Sequence, residues 1–162
     1  MPEPVSALTI IYQGWAAYQE RLTQALADLS AGQLALRVAP NLRSIGELAA
    51  HVVGGRAYWF HDIINEGSDE TVSLPQWQAP DAPARTAAEL VTGFEATGRL
   101  IQGALTRWTP EEMARPFQVI AGGRERTFTR QWIIWHLIEH DLHHGGELAF
   151  SLGRHGLSAP NV

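Results

Sequence analysis

Apolar residues recur at three- and four-residue steps along four stretches of the chain, the spacing of one helix face. In the first, Val5, Leu8, Tyr12, Trp15, Tyr18, Leu22, Leu26 and Leu29 share a face and predict a helix from Pro4 to Leu29. The second opens at Ser44, where Glu47 three residues on makes a capping-box pattern. It runs through "LAAHVVGGRAYWFHDII" and is expected to stop near Gly67. A loop rich in proline and small polar residues, "SDETVSLPQWQAPDAPAR", follows. The third helix is capped at Thr86 and carries Leu90, Phe94, Thr97, Ile101, Ala104 and Trp108 on one face. Its Gly93, Gly98 and Gly103 each weaken it by up to about 1 kcal/mol relative to Ala.

Thr109-Pro110 reads as a capped short turn with proline at the first helical position. "FQVIAGGRERTF" holds two short extended runs around Gly122-Gly123, a hairpin pattern. The last helix is predicted from Thr129 to Leu152, with Gly153 and Gly156 ending it. Four amphipathic helices with little strand predict one all-α domain over residues 1–162, a four-helix bundle with a short hairpin before the last helix. Tyr58, Trp59, Trp132 and Trp135 are expected in the core or lining a pocket, and His61 and His155 on the surface.

Composition narrows the chemistry. The 162 residues contain no cysteine, which excludes disulfides, thiolate-ligated metals and a cysteine nucleophile. The net charge of −5 argues against nucleic acid or an anionic membrane as partner. All twelve basic residues are arginine. No leader pattern opens the chain and no apolar run could span a bilayer, so a cytoplasmic protein is expected.

Four of the seven histidines lie in "WHLIEHDLHHGGELAF", Trp135 to Phe150. With about 100° per helical residue and His140 at zero, His144 lies at roughly +40°, Glu147 at −20°, His136 at −40° and His143 at −60°. The pair His140/His144, one turn apart, can aim two imidazoles at one metal ion. A third ligand must come from another helix. His51, within the otherwise apolar "ELAAHVVGG", is the inward-facing candidate; taken alone it reads as a core histidine with a satisfied hydrogen bond. A ferritin-like di-iron site needs Glu-x-x-His twice, a pattern the chain lacks. "HDLHH" mimics the His-Glu-x-x-His of zinc proteases with Asp141 at the Glu position, one methylene short, and Gly145-Gly146 would weaken that helix.

"RSIGELAAHVVGGRAYW" and "HLIEHDLHHGGELAFSLGRHGL" resemble the DinB family of small four-helix proteins with metal-dependent members. The family pattern is a His in the second helix and a His-x-x-x-His pair in the last, which fall here on His51, His140 and His144. Gly145 stands where the family usually has Arg. The resemblance implies an up-up-down-down bundle, a divalent metal (zinc or nickel), homodimers and, in some relatives, transferase or isomerase chemistry with a low-molecular-weight thiol. Three neutral imidazoles would leave a divalent ion with open positions, as in catalytic zinc sites. Glu147 and His143 are then candidates to orient a ligand or carry a proton, with Asp141 a weaker one. Two function classes follow. One is a metal-dependent enzyme acting on a small molecule, a thiol transferase, isomerase or hydrolase. The other is a non-catalytic metal-binding dimer with a stress-related or partner-binding role. Because imidazole must be neutral to bind, metal occupancy is expected to fall below about pH 6.

Overall fold

The computed structural model of the protein describes residues 7–160. It is mostly helical. The elements are α1 (Ala7–Ala27), α2 (Ala31–Leu34), α3 (Ile45–Tyr58), α4 (Ala87–Arg107), α5 (Pro110–Ala114), β1 (Phe117–Ala121), β2 (Arg124–Phe128) and α6 (Arg130–Arg154). A π-helical turn, Trp59–Ile64, continues α3, and a 3₁₀ turn, Leu74–Gln78, lies in the loop before α4. Pro4 and Val5, where the first helix was expected to begin, lie outside the described residues.

The caps read from sequence are the caps observed. Ser44 accepts from the Glu47 amide while the Glu47 carboxylate takes the Ser44 amide. Thr86/Glu89 and Thr109/Glu112 repeat the arrangement, and Ser30/Gln33 adds α2, which the pattern of apolar residues had not suggested. At its far end α3 stops at Asn65, in the left-handed region (φ 58°), two residues before Gly67. The last helix passes through Gly153 and closes with Gly156 left-handed (φ 70°), where the Leu157 amide donates to the Leu152 carbonyl. The hairpin forms as expected, Phe117 opposite Phe128, with Gly122 and Gly123 both at positive φ in its two-residue turn.

The core is two apolar clusters separated by a polar layer. One contains Leu22, Leu26, Ile45, Val53, Leu90, Phe94, Leu148 and Leu152. The other contains Trp15, Phe60, Ile63, Ile101, Trp108, Ile133 and Leu137. Between them, on the long helices, lie Arg56, Thr97 and Asp141. The order in which each helix visits the clusters gives its direction. α3 and α4 run from the first to the second; α1 and α6 run from the second to the first. This corrects the expected up-up-down-down order: the two middle helices are parallel, and the long connection 65–86 is the chain that returns between them. The 3₁₀ turn in that connection packs on α3, so the segment expected as plain loop is partly structured.

Three burial expectations are corrected. On α1 the core begins at Tyr12 and Trp15, whereas Leu8 is 59% exposed. Trp135 is 60% exposed and Trp132 43%. Trp135 and Leu142, seven residues apart, share an outer stripe of α6, beside the buried Ile134 and Ile138. His61 and His155, expected at the surface, are half-buried; His61 Nε2 meets Thr71 Oγ1 at 2.8 Å and His155 Nε2 meets the Arg37 carbonyl at 3.1 Å.

Candidate metal centre

α3 and α6 pack against each other and bring His51, His140 and His144 together. One ring nitrogen from each lies within 4.8 Å of the others. His140 Nε2 is 3.3 Å from His51 Nε2. Two nitrogens bound to one tetrahedral ion at 2.0–2.1 Å would stand about 3.3–3.4 Å apart. The donor set therefore fits a divalent ion such as zinc, and the His51 and His140 nitrogens already stand near ligand spacing.

Carboxylates lie behind two of the rings. Glu147 Oε2 is 2.7 Å from His144 Nδ1. That contact favours the proton on Nδ1 and leaves Nε2 as the free donor. His140 Nδ1 is buried and has no hydrogen-bond partner among the described residues; its nearest carboxylate is Asp141 Oδ1, at 4.0 Å. The negative charge there likewise favours the proton on Nδ1. Burial pushes the Glu147 pKa up, but its hydrogen bond and charge interaction with His144 hold it below the usual carboxylate range.

The other candidates separate. His143 is exposed, with Nε2 3.7 Å from Glu147 Oε1. His143, His144 and Glu147 form a second, more exposed group that shares His144 with the first. His136 is not part of the three-histidine group; it stacks on Trp132, ring centroids 5.2 Å apart at 6°, with its centroid 6.1 Å from that of His140. Asp141 is corrected as a catalytic candidate. Its side chain is fully buried, bridged by Arg56 (Nη2 to Oδ2 2.7 Å) and by Trp15 Nε1 (2.7 Å). Burial opposes its ionisation, but the Arg56 charge and these hydrogen bonds hold its pKa below the carboxylate range. Arg56 also donates to Thr97 Oγ1. Sequence reasoning missed this network, although one signal was available: Arg56 is the lone charged residue in "LAAHVVGGRAYW" after the capping Glu.

Two glycines make room at the centre. A Cβ on Gly55 would stand 3.0 Å from His140 Cε1, and one on Gly145 2.0 Å from Tyr18 Oη. The glycine that follows His144 thus answers to the close approach of α1. Gly146 has open space around its Cβ position. Gly55→Ala is expected to displace His140 and weaken metal binding about tenfold, the scale of changes just behind a ligand. Gly146→Ala should leave it unchanged. Competition titration with a chromogenic chelator measures both, and equal affinities for the two variants would contradict the packing argument.

His51, alone of the three histidines, lines a cleft of about 740 Å³ that also contains Trp77, Arg43 and Arg85. Burial, then the nearby Arg43 charge and the other two imidazoles, lower the His51 pKa to about 4. Burial also lowers that of His144. The pH 6 threshold expected from an ordinary imidazole therefore moves down for His51. In the unfolded chain His51 takes its proton near the ordinary 6.5, and in the fold only near 4. Its contribution to the stability of the metal-free protein is thus complete above pH 6.5 and is lost as pH falls toward 4. Thermal midpoints of metal-free protein should drop across this window, and less so in His51→Asn. A flat profile in the wild type would contradict the burial of a neutral ring.

The chain is thus a helical protein with a small hairpin and a three-histidine group, shared by two helices, that could hold a metal ion. The sequence model of the DinB family matches residues 1–162, and the chain belongs to that family. It is 22% identical over 152 residues to the uncharacterized protein YrdA of Bacillus subtilis strain 168, covering 93% of this chain and 84% of that protein. A crystal structure of a DinB-like protein from Bacillus cereus has the same fold, with a TM-score of 0.71, 20% identity and 93% of each chain covered. Among the described residues no helix is long and apolar enough to cross a membrane.

Proposed function

We propose that this protein is a divalent-metal enzyme of the cytoplasm that acts on a small molecule, built on a four-helix bundle with His51, His140 and His144 as the metal ligands. The observation that carries this reading is that His51, one of the three histidines, lines the cleft. A structural metal site is closed, whereas a catalytic one keeps positions for substrate. When bound, zinc or nickel supplies Lewis acidity toward a small electrophile and favours a thiol co-substrate as thiolate. Glu147 fixes the His144 ring and is placed to take a proton from it; His143, exposed beside Glu147, is the alternative proton carrier. The reaction class is transfer or isomerisation with a low-molecular-weight thiol, with hydrolysis as the variant that uses water. The test is a screen of zinc- and nickel-loaded protein with small thiols and electrophiles. Turnover that depends on metal and is lost in His51→Ala supports the reading; metal-loaded protein inert across thiol transfer, isomerisation and hydrolysis counts against it.

Exposed apolar residues favour a second feature. Leu8 and Ile11 on α1, and Trp135, Leu142 and Phe150 on α6, leave apolar surface uncovered. We propose a homodimer through helix faces, which would also suit a non-catalytic metal-binding role. Light scattering should return twice 17.8 kDa at micromolar concentration; the monomer mass would contradict it.

A further inference from the structure

The cleft at His51 has a charge that the chain as a whole does not. The protein carries a net charge of −5, yet the cleft is lined by Arg37, Arg43 and Arg85 against the single carboxylate Glu47. Two of these arginines are engaged. Arg37 is paired with Glu47. Arg85 lies over the Trp77 ring, 4.7 Å from its centroid, and reaches Glu89 at 3.4 Å. Its Nε is buried with no hydrogen-bond partner among the described residues. Arg43 makes no hydrogen bond or ion pair with the other described residues, and its charge is felt at both His51 and Glu147. An unpaired guanidinium near the three-histidine group is a ready partner for a planar anion, to which it can offer two parallel donors. The rest of the lining is largely apolar, including Leu34, Ala50 and Pro80.

We propose that this cleft binds a small organic carboxylate, with its carboxyl group on Arg43, its apolar body against the Leu34, Ala50 and Pro80 lining and its other end directed toward His51. The carboxylate subsite stands on the cleft alone; only the placement of a reacting group at the histidines rests on the metal-enzyme reading. The subsite chooses acids over neutral molecules of the same shape, because a neutral amide cannot form the charge-assisted pair.

The test is titration of EDTA-treated protein with 2-naphthoate and with 2-naphthamide at fixed ionic strength, followed by NMR. The acid is expected to bind at least about tenfold tighter than the amide. Arg43→Gln should abolish the difference, Arg43→Lys should retain part of it, and Arg124→Gln, in the hairpin packed on the other apolar cluster, should retain all of it. Equal binding of acid and amide to the wild type, or undiminished preference for the acid in Arg43→Gln, would overturn the proposal. Because these titrations use no metal, they separate the two readings. If the protein proves to bind no ion but the Arg43-dependent preference holds, the subsite stands and the metal reading falls; if zinc binds normally and the preference is absent, the reverse is true.

Discussion

Asp141→Ala will lower the stability of the protein by about 3–5 kcal/mol, because it leaves the Arg56 guanidinium buried without its counter-charge. Both side chains are fully shielded from solvent. Arg56 has three contacts to the carboxylate, and Trp15 Nε1 donates to the same oxygen. Removal of the carboxylate therefore strands a cation and an indole N–H together between the two apolar clusters. A loss of this size is a large fraction of the 5–15 kcal/mol that holds a typical domain folded. The double variant Arg56→Met/Asp141→Leu should recover most of it, since buried pairs replaced by apolar residues of similar volume are often neutral or stabilising. Chemical denaturation followed by circular dichroism measures all three proteins. A single variant within about 1 kcal/mol of wild type would mean that water reaches the layer, contrary to its complete burial.

The second large effect falls on metal binding. His51→Ala should release most of the metal, because the two imidazoles left on α6 bind a divalent ion far more weakly than three. His143→Ala should release little, since its ring lies on the exposed side of Glu147, outside the three-histidine group. Elemental analysis of the purified variants reads the difference. A His51→Ala protein with full metal content would remove α3 from the site.

The histidine cluster was legible because its signal is geometric and local. A one-turn spacing on α6 and a lone polar residue in an apolar stretch of α3 survive any detail of the packing. The helix caps were legible for the same reason, since a cap is a contact over three residues. What could not be read depends on contacts distant in sequence. Asp141 looked like a reacting group beside two histidines, and only the register of α3 against α6 turns it onto Arg56, 85 residues away. The direction of the helices was also illegible. A loop of the length of 65–86 can serve either a parallel or an antiparallel neighbour, and the choice lies in which cluster each helix enters first. Gly145 looked like a helix-weakening residue until the approach of Tyr18 gave it a reason. Trp135 looked like core, but apolar character does not say whether a stripe meets its own bundle or faces outward. The cleft was missed because Arg43, Trp77 and Arg85 sit in segments with no helical period, and their convergence follows from the packing of the 3₁₀ turn on α3.

The most direct measurement of the central claim is anomalous diffraction at the zinc edge from crystals of zinc-loaded protein. A single strong peak is predicted about 2.0–2.1 Å from one ring nitrogen each of His51, His140 and His144. A peak held instead by His143, His144 and Glu147, or no peak at the three histidines in fully loaded protein, would contradict it.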